Sequence, residues 1–288
     1  GSRIRSIASA TIGIDHIDTG YCRSAGIRWA NAPGCNSSSV KQYIASVIAR
    51  LAVEKGLNLE EMTLGIVGVG HVGSKVAEVG RAFGMKVLLN DPPREQKEGG
   101  GEFTSLESIV GEADIISLHV PLVADGPFRT IHLFDRERIS LMRRNQILIN
   151  SSRGPVVDSG ALKEALREGR LNAAVVDVWE NEPDIDPALA GLCFVATPHI
   201  AGYSADGKAA GTTAAVRWIA RELGLPLSQW SVKDIPSPER ETAFSLDGTG
   251  ISTQEALVGA VLKAYDVKAD SERLKGDISS FERQRGGY

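Results

Sequence analysis

The run Leu64-Gly-Ile-Val-Gly-Val-Gly-His-Val-Gly73 decides the fold. Residues 64–67 carry no polar side chain, as suits a strand buried on both faces. The next six, Gly68-Val-Gly-His-Val-Gly73, set glycines at the first, third and sixth places and lead into a helix expected over about 72–83. Gly68 permits a tight turn, Gly70 removes a Cβ where a pyrophosphate would approach, and Gly73 lets the helix pack closely on the strand. Unpaired amides at the helix start then face the phosphates. Asp91 closes the following strand, eighteen positions beyond Gly73. Its carboxylate would accept from ribose hydroxyls and repel a 2′-phosphate, which favours NAD over NADP although Arg94 lies close by. A glycine-rich turn alone is a weak signal; strand, helix and acid in this order give it weight.

Outward from this turn, apolar runs predict strands at 86–90, 114–119, 146–150, 173–178 and 194–196. Helical segments lie between most of them, notably 158–168. The alternation implies an α/β fold with a doubly wound parallel sheet and right-handed crossovers. Upstream are short strands at 4–10 and 27–30, a helix within 15–24, and a helix over 37–54. On that last helix Val40, Tyr43, Ile44, Val47, Ile48 and Leu51 fall at three-and-four spacing. Downstream, 206–223 reads as another long helix, 234–241 as a linker, and 252–265 as a capped amphipathic helix. The final stretch is charged and poor in apolar residues, like part of a unit whose core is incomplete.

The 288 residues suffice for about two domains, and 42% hydrophobic with 24% charged content is ordinary for a globular chain. A net charge of −4 argues against a nucleic-acid or membrane-surface partner, and the apolar runs are too short to span a bilayer. Cys22, Cys35 and Cys193 are widely spaced and form neither a disulfide framework nor a metal pattern, so reduced thiols, no metal and a cytoplasmic location are expected.

Three further motifs follow predicted strands: Asn150-Ser-Ser-Arg-Gly154, Asp177-Val-Trp-Glu-Asn-Glu-Pro183 and Thr197-Pro-His-Ile-Ala-Gly202. Parallel strands would deliver Arg153, Glu182 and His199 to one rim. An imidazole is the natural base for a hydroxyl proton near neutral pH, a carboxylate fixes its tautomer, and a fixed guanidinium binds a carboxylate and polarises an oxygen. Taken singly each has a bland reading, a structural His or a surface ion pair. Their joint occurrence at successive strand ends points to oxidation of a 2-hydroxy acid. His16, His119 and His132 are not expected to be catalytic. Lys208 could meet a substrate phosphate or face solvent.

The ordered set GxGxxG, Asp91, Asn150-x-x-Arg-Gly154, Asp177-Val178, Glu182-Pro183 and Pro198-His199 resembles the D-isomer-specific 2-hydroxyacid dehydrogenases. The resemblance implies Arg153, Glu182 and His199 as catalytic residues and NAD as cofactor. It assigns cofactor contacts to Gly68, Gly70, His71, Val72, Gly73, Asp91, Val120, Asp177 and Gly202. It assigns substrate contacts to Thr11, Arg153 and Tyr203. Loop segments such as Ala32-Pro-Gly-Cys-Asn36 and Ala201-Gly-Tyr203 resemble those of members of the family that act on a small phosphorylated 2-hydroxy acid, and the resemblance implies such a substrate. The chain departs from the pattern at Val120, where Thr is usual, and at His71, where Asn is common.

The resemblance also implies a Rossmann-type NAD domain at 38–201 and a flavodoxin-like substrate domain from 1–37 and 202–230, lacking its N-terminal part. An incomplete C-terminal dimerisation domain would span 231–288, and a homodimer is expected. The alternatives are a dehydrogenase for another D-2-hydroxy acid, such as glycerate or 3-phosphoglycerate, and a non-enzymatic NAD(H)-sensing protein of the same fold.

Overall fold

The computed structural model describes residues 4–237 and 243–288. Part of the linker expected over 234–241, and residues 1–3 and 238–242 of the expected domains, lie outside the described residues. In chain order the elements are β1 (Ser6–Ala8), α1 (Thr19–Ser24), β2 (Arg28–Ala30), α2 (Ser37–Lys55), β3 (Thr63–Val67), α3 (His71–Ala82), β4 (Lys86–Asn90) and α4 (Pro92–Glu98). They continue with α5 (Leu106–Glu112), β5 (Ile115–Leu118), α6 (Arg136–Leu141), β6 (Ile147–Asn150), α7 (Ser159–Arg167), β7 (Ala173–Val176), α8 (Pro187–Leu192) and β8 (Val195–Ala196). The last are α9 (Ala205–Leu223), α10 (Thr253–Ala264), α11 (Val267–Gly276) and α12 (Phe281–Gly286). The chain divides into two compact units, 1–39 with 202–241 and 40–201 with 242–288.

In the first unit β1 and β2 pair in parallel, with Ser6 opposite Arg28 and Ala8 opposite Ala30. Helix α9 packs against β1. A Cβ at Gly211 would stand 2.1 Å from the Ala10 carbonyl oxygen, so only glycine allows that approach. The expected helix over 15–24 begins only at Thr19, because the Asp18 side chain accepts from the Tyr21 amide at 2.8 Å and caps it there. His16 therefore sits in a turn, with Nε2 3.0 Å from Ser9 Oγ.

The second unit is built on a wholly parallel sheet, in the order β4-β3-β5-β6-β7-β8 among the described residues. A parallel bridge from Leu89 to Phe103 marks the residue of one more strand outside β4. Strands β5, β6 and β7 are buried along their whole length, which is why they read as apolar runs broken only by Ser117 and Asn150. One apolar layer takes the predicted stripe of α2 together with Val76, Ala77 and Val79 of α3. The other takes Ile109, Val110, Ile139, Ala161, Leu162, Ala165 and Leu189 from α5 to α8.

The C-terminal segment packs onto the second unit. Val258 and Val267 join the first layer of this unit, and Leu274 and Phe281 are buried in the second. Arg50 Nε donates to Asp266 at 2.7 Å, and the Val267 amide donates to Ser46 Oγ at 3.0 Å, tying the start of α11 to α2. Few apolar residues are needed because each lands on a surface the sheet and α2 already provide.

Candidate active site

In a parallel sheet every strand ends at the same edge, and the connections that follow carry the chemistry. Gly68 follows β3, Asp91 follows β4, Val120 lies two residues beyond β5, Arg153 three beyond β6, Asp177 directly after β7, and His199 three beyond β8. The register aligns these ends: Asn150 pairs with Val176, and Val176 with Ala196.

At the glycine turn the backbone is crowded on one side and open on the other. Gly68 has a φ of 89°, and a Cβ there would stand 2.7 Å from the His119 carbonyl and 2.9 Å from a Val120 methyl. A Cβ at Gly73 would stand 2.0 Å from the Gly68 carbonyl oxygen. Gly70, by contrast, has open space where its Cβ would be. That open side, at the N-terminus of the twelve-residue α3 with His71, Val72 and Gly73 in its first turn, fits a dinucleotide pyrophosphate. Asp91 Oδ2 accepts from the Val69 amide at 2.8 Å and Oδ1 from the Arg94 amide at 3.1 Å, so the carboxylate is clamped beside the turn. Arg94 donates to the Val69 carbonyl at 2.6 Å and pairs through Nε and Nη2 with Glu98. Its guanidinium is thus committed to neighbours, which weighs against recruitment to a 2′-phosphate. His119 is no charged alternative: burial pulls its imidazole down to about 3, and its Nε2 lies 2.9 Å from Ser117 Oγ.

Glu182 and His199 meet. His199 Nδ1 is 2.8 Å from Glu182 Oε2, and Glu182 Oε1 accepts from the Trp179 amide at 2.9 Å. Burial, the largest influence on the Glu182 carboxyl, pushes it upward. The bond to His199, the imidazole's charge, the Trp179 amide and Arg285 together outweigh it and hold Glu182 below its ordinary value.

His199 adopts a left-handed backbone with φ of 59°, which costs a non-glycine residue on the order of 1 kcal/mol or more. Asp177 is what holds that turn. Its carbonyl accepts from the His199 amide at 2.8 Å, its Oδ1 from the Ile200 amide at 2.8 Å, and its Oδ2 from the Ala201 amide at 3.0 Å. Thr197 Oγ1 donates to Oδ1 at 2.6 Å and also lies 2.7 Å from the Tyr43 hydroxyl. Asp177 is 1% exposed, and burial raises its carboxyl above the ordinary value against the pull of His199, Thr197 and the two amides. Tyr43 and Thr197 escaped the sequence reading. Tyr43 counted only as one apolar position of α2, and nothing local links it to Thr197.

The loop that carries Arg153 touches the Glu182 turn through its backbone, while the Arg153 guanidinium donates from Nη1 to the Ser152 carbonyl at 2.7 Å. The Asn150 side chain donates to the Arg153 carbonyl at 3.0 Å and accepts from Ser152 Oγ at 2.8 Å, which shapes the loop. A Cβ at Gly154 would stand 2.0 Å from the Trp179 carbonyl, so the two loops touch backbone to backbone. Trp179 itself is buried and donates from Nε1 to the Thr197 carbonyl at 2.9 Å. Glu182 and His199 are thus in contact, and the loop that carries Arg153 packs on the Glu182 turn through its backbone. A second pair, His132 Nε2 to Glu180 Oε1 at 2.8 Å, branches from the same turn.

The remaining sequence candidates lie in the first unit. Thr11 Oγ1 donates to the Gly13 carbonyl at 2.9 Å and is 2.8 Å from Ser9 Oγ. Gly202 lies against Asn36, whose Nδ2 would be 2.3 Å from a Cβ at that position. Lys208 Nζ stands 4.9 Å over the Tyr203 ring, at the start of α9, which Ser204 caps. Among the described residues no group of three or more His, Cys, Asp or Glu could hold a metal ion, and no helix is long and apolar enough to cross a membrane.

The family model for the D-isomer specific 2-hydroxyacid dehydrogenase NAD binding domain matches residues 38–201. Erythronate-4-phosphate dehydrogenase of Bacteroides fragilis is 48% identical over 288 residues, covering 100% of this chain and 80% of the relative. The protein of that name from Chromohalobacter salexigens is 49% identical over 295 residues, covering 100% and 76%. Among solved structures, D-lactate dehydrogenase from Aquifex aeolicus, complexed with NAD and lactic acid, superposes with a TM-score of 0.65 at 32% identity, covering 79% of each chain. The strand-end residues, the glycine turn and these likenesses agree: the chain belongs to the D-isomer-specific 2-hydroxyacid dehydrogenases and is an NAD-dependent enzyme of that family.

Proposed function

We propose that the chain oxidises 4-phospho-D-erythronate at its C2 hydroxyl, giving (R)-3-hydroxy-2-oxo-4-phosphooxybutanoate. On this reading the step belongs to pyridoxal 5′-phosphate synthesis. The observation that carries the chemistry is the 2.8 Å contact of His199 with Glu182 at the strand edge shared by the glycine turn. Support for the substrate comes from the relatives' names at 41–49% identity over essentially the whole chain.

With Nδ1 directed at Glu182, His199 keeps Nε2 for the substrate and takes the C2 hydroxyl proton there. Glu182 holds the ring's tautomer and stabilises the imidazolium that forms. Arg153 binds the substrate carboxylate and polarises the C2 oxygen. Gly68, Gly70, His71, Val72, Gly73, Asp91, Val120 and Gly202 hold NAD, which supplies the hydride acceptor, while the buried Asp177, expected as a cofactor contact, instead holds the His199 turn. Thr11 and Tyr203 contact substrate, and the unit that carries them serves as the substrate domain. A homodimer built through the C-terminal segment and a cytoplasmic location complete the reading.

The test is NADH absorbance from the purified chain with 4-phospho-D-erythronate, glycerate and 3-phosphoglycerate. Turnover with the first at far higher kcat/KM is expected. Preference for either of the others would replace the substrate, and cofactor binding without turnover of any hydroxy acid would favour an NAD(H)-sensing protein.

A further inference from the structure

We propose that Arg285, on the last helix α12, is a positioning residue of the dehydrogenase: it braces the Glu182 carboxylate and thereby sets the pH range in which the Glu182–His199 pair works. The inference rests on the reading of that pair as base and anchor, and extends it to a residue far away in sequence.

Arg285 Nη1 lies 3.7 Å from Glu182 Oε2, the same oxygen that His199 Nδ1 meets at 2.8 Å. The other oxygen is taken by the Trp179 amide. One carboxylate thus answers to a backbone N–H, an imidazole and a guanidinium. Both partners are partly withdrawn from water, at 37% and 18% side-chain exposure, so screening is incomplete. The helix that presents Arg285 is anchored. Phe281 is 1% exposed within the core, and Gln284 Nε2 donates to the Asp277 carbonyl at 3.0 Å and to Ser280 Oγ at 2.6 Å.

The charge arithmetic has a definite sign. The charged groups that bear on the pair are Arg285, at the Glu182 oxygen that His199 also meets, and the buried Asp177 carboxyl, which interacts with His199 from directly after β7. Arg285 shares the negative charge of Glu182, so less of it is left to stabilise a protonated imidazole. Oxidation needs the neutral imidazole. Arg285 therefore extends activity toward lower pH, and without it the proton stays on the ring to higher pH.

Arg285→Gln, Arg285→Met and Arg285→Lys, each in the full chain, test this. The acid limb of kcat/KM for hydroxy-acid oxidation should move upward by at least about half a pH unit in the Gln and Met variants, the effect of one partly screened charge several ångströms from the ring. The Lys variant should stay with the parent, and KM should change less than the limb. Ring-proton NMR titration of His199, assigned by its loss in His199→Gln, should show the same displacement. The Met variant keeps the length of the stem and decides the matter should the Gln variant melt early. Titrations superposing on the parent in both neutral variants, or a Lys variant displaced as far as they are, would overturn the proposal. A parent chain that oxidises no hydroxy acid would defeat the functional reading instead, while the ring titration still decides on Arg285.

Discussion

Nδ1 of His199 lies 2.8 Å from Oε2 of Glu182, and this contact selects which ring nitrogen is left for chemistry. Glu182→Gln should keep the fold, since Trp179 can still donate to the amide oxygen. It removes the charge that stabilises the imidazolium. kcat for oxidation should fall roughly 10²-fold, with KM changed only a few-fold. The acid limb should move to lower pH, opposite to the Arg285 variants. Steady-state kinetics across pH checks this, and an unchanged kcat would remove Glu182 from the mechanism.

Asp91 tests the cofactor turn. Asp91→Ala leaves the Val69 and Arg94 amides without their acceptor and removes the expected ribose contact. KM for NAD should rise about 10- to 100-fold, in line with about 1.5–3 kcal/mol for a charge-assisted bond. The preference for NAD over NADP should narrow. Equal affinities for NAD in parent and variant, read by fluorescence titration, would contradict the assignment.

Gly154 has no room for a methyl group, because its Cβ would lie 2.0 Å from the Trp179 carbonyl. Gly154→Ala must push the Arg153 loop away from the Glu182 turn. The melting temperature should drop by an amount corresponding to about 1–3 kcal/mol, and kcat/KM should fall about 10²-fold from misplaced groups. A variant with parental kinetics would mean that the two loops need not touch.

The attachment of α11 to α2 should show in acid. The hydrogen bond from Arg50 is the chief cause that lowers the Asp266 carboxyl below its ordinary value. A carboxyl lowered on folding stabilises the protein above its unfolded pKa of about 4, and that contribution fades as pH falls through the lower folded value. Asp266→Asn should therefore have a lower melting temperature than the parent at about pH 6, and the gap should shrink at about pH 3. A gap that is constant across this range would show that Asp266 acts by packing alone.

Much of the second unit can be read directly from the chain. Strands such as Ile115–Leu118 and Ile147–Asn150 are covered on both faces, so apart from the buried Ser117 and Asn150 their sequences are apolar without alternation. The α2 stripe from Val40 to Leu51 is legible because a helix on a sheet buries one face. Where the C-terminal segment packs is not legible in the chain, because half of α11 is charged and the burial of Leu274 depends on a surface made by residues distant in sequence.

The candidate site divides in the same way. Residue types and order along the chain name Arg153, Glu182, His199, Asp91 and the glycines, because each sits next to a strand end and parallel strands share an edge. What the chain alone leaves undetermined are the partners. Asp177 suggested a cofactor contact by its position, yet its carboxylate is spent on Thr197, Ile200 and Ala201, holding His199 in a left-handed turn. Tyr43 reaching Thr197 and Arg285 reaching Glu182 follow from helices laid across the sheet. Local spacing encodes which groups emerge at the edge, since it depends on neighbours along the backbone. Which charges then lie within a few ångströms of one another depends on how distant segments pack, and only the tertiary structure decides that.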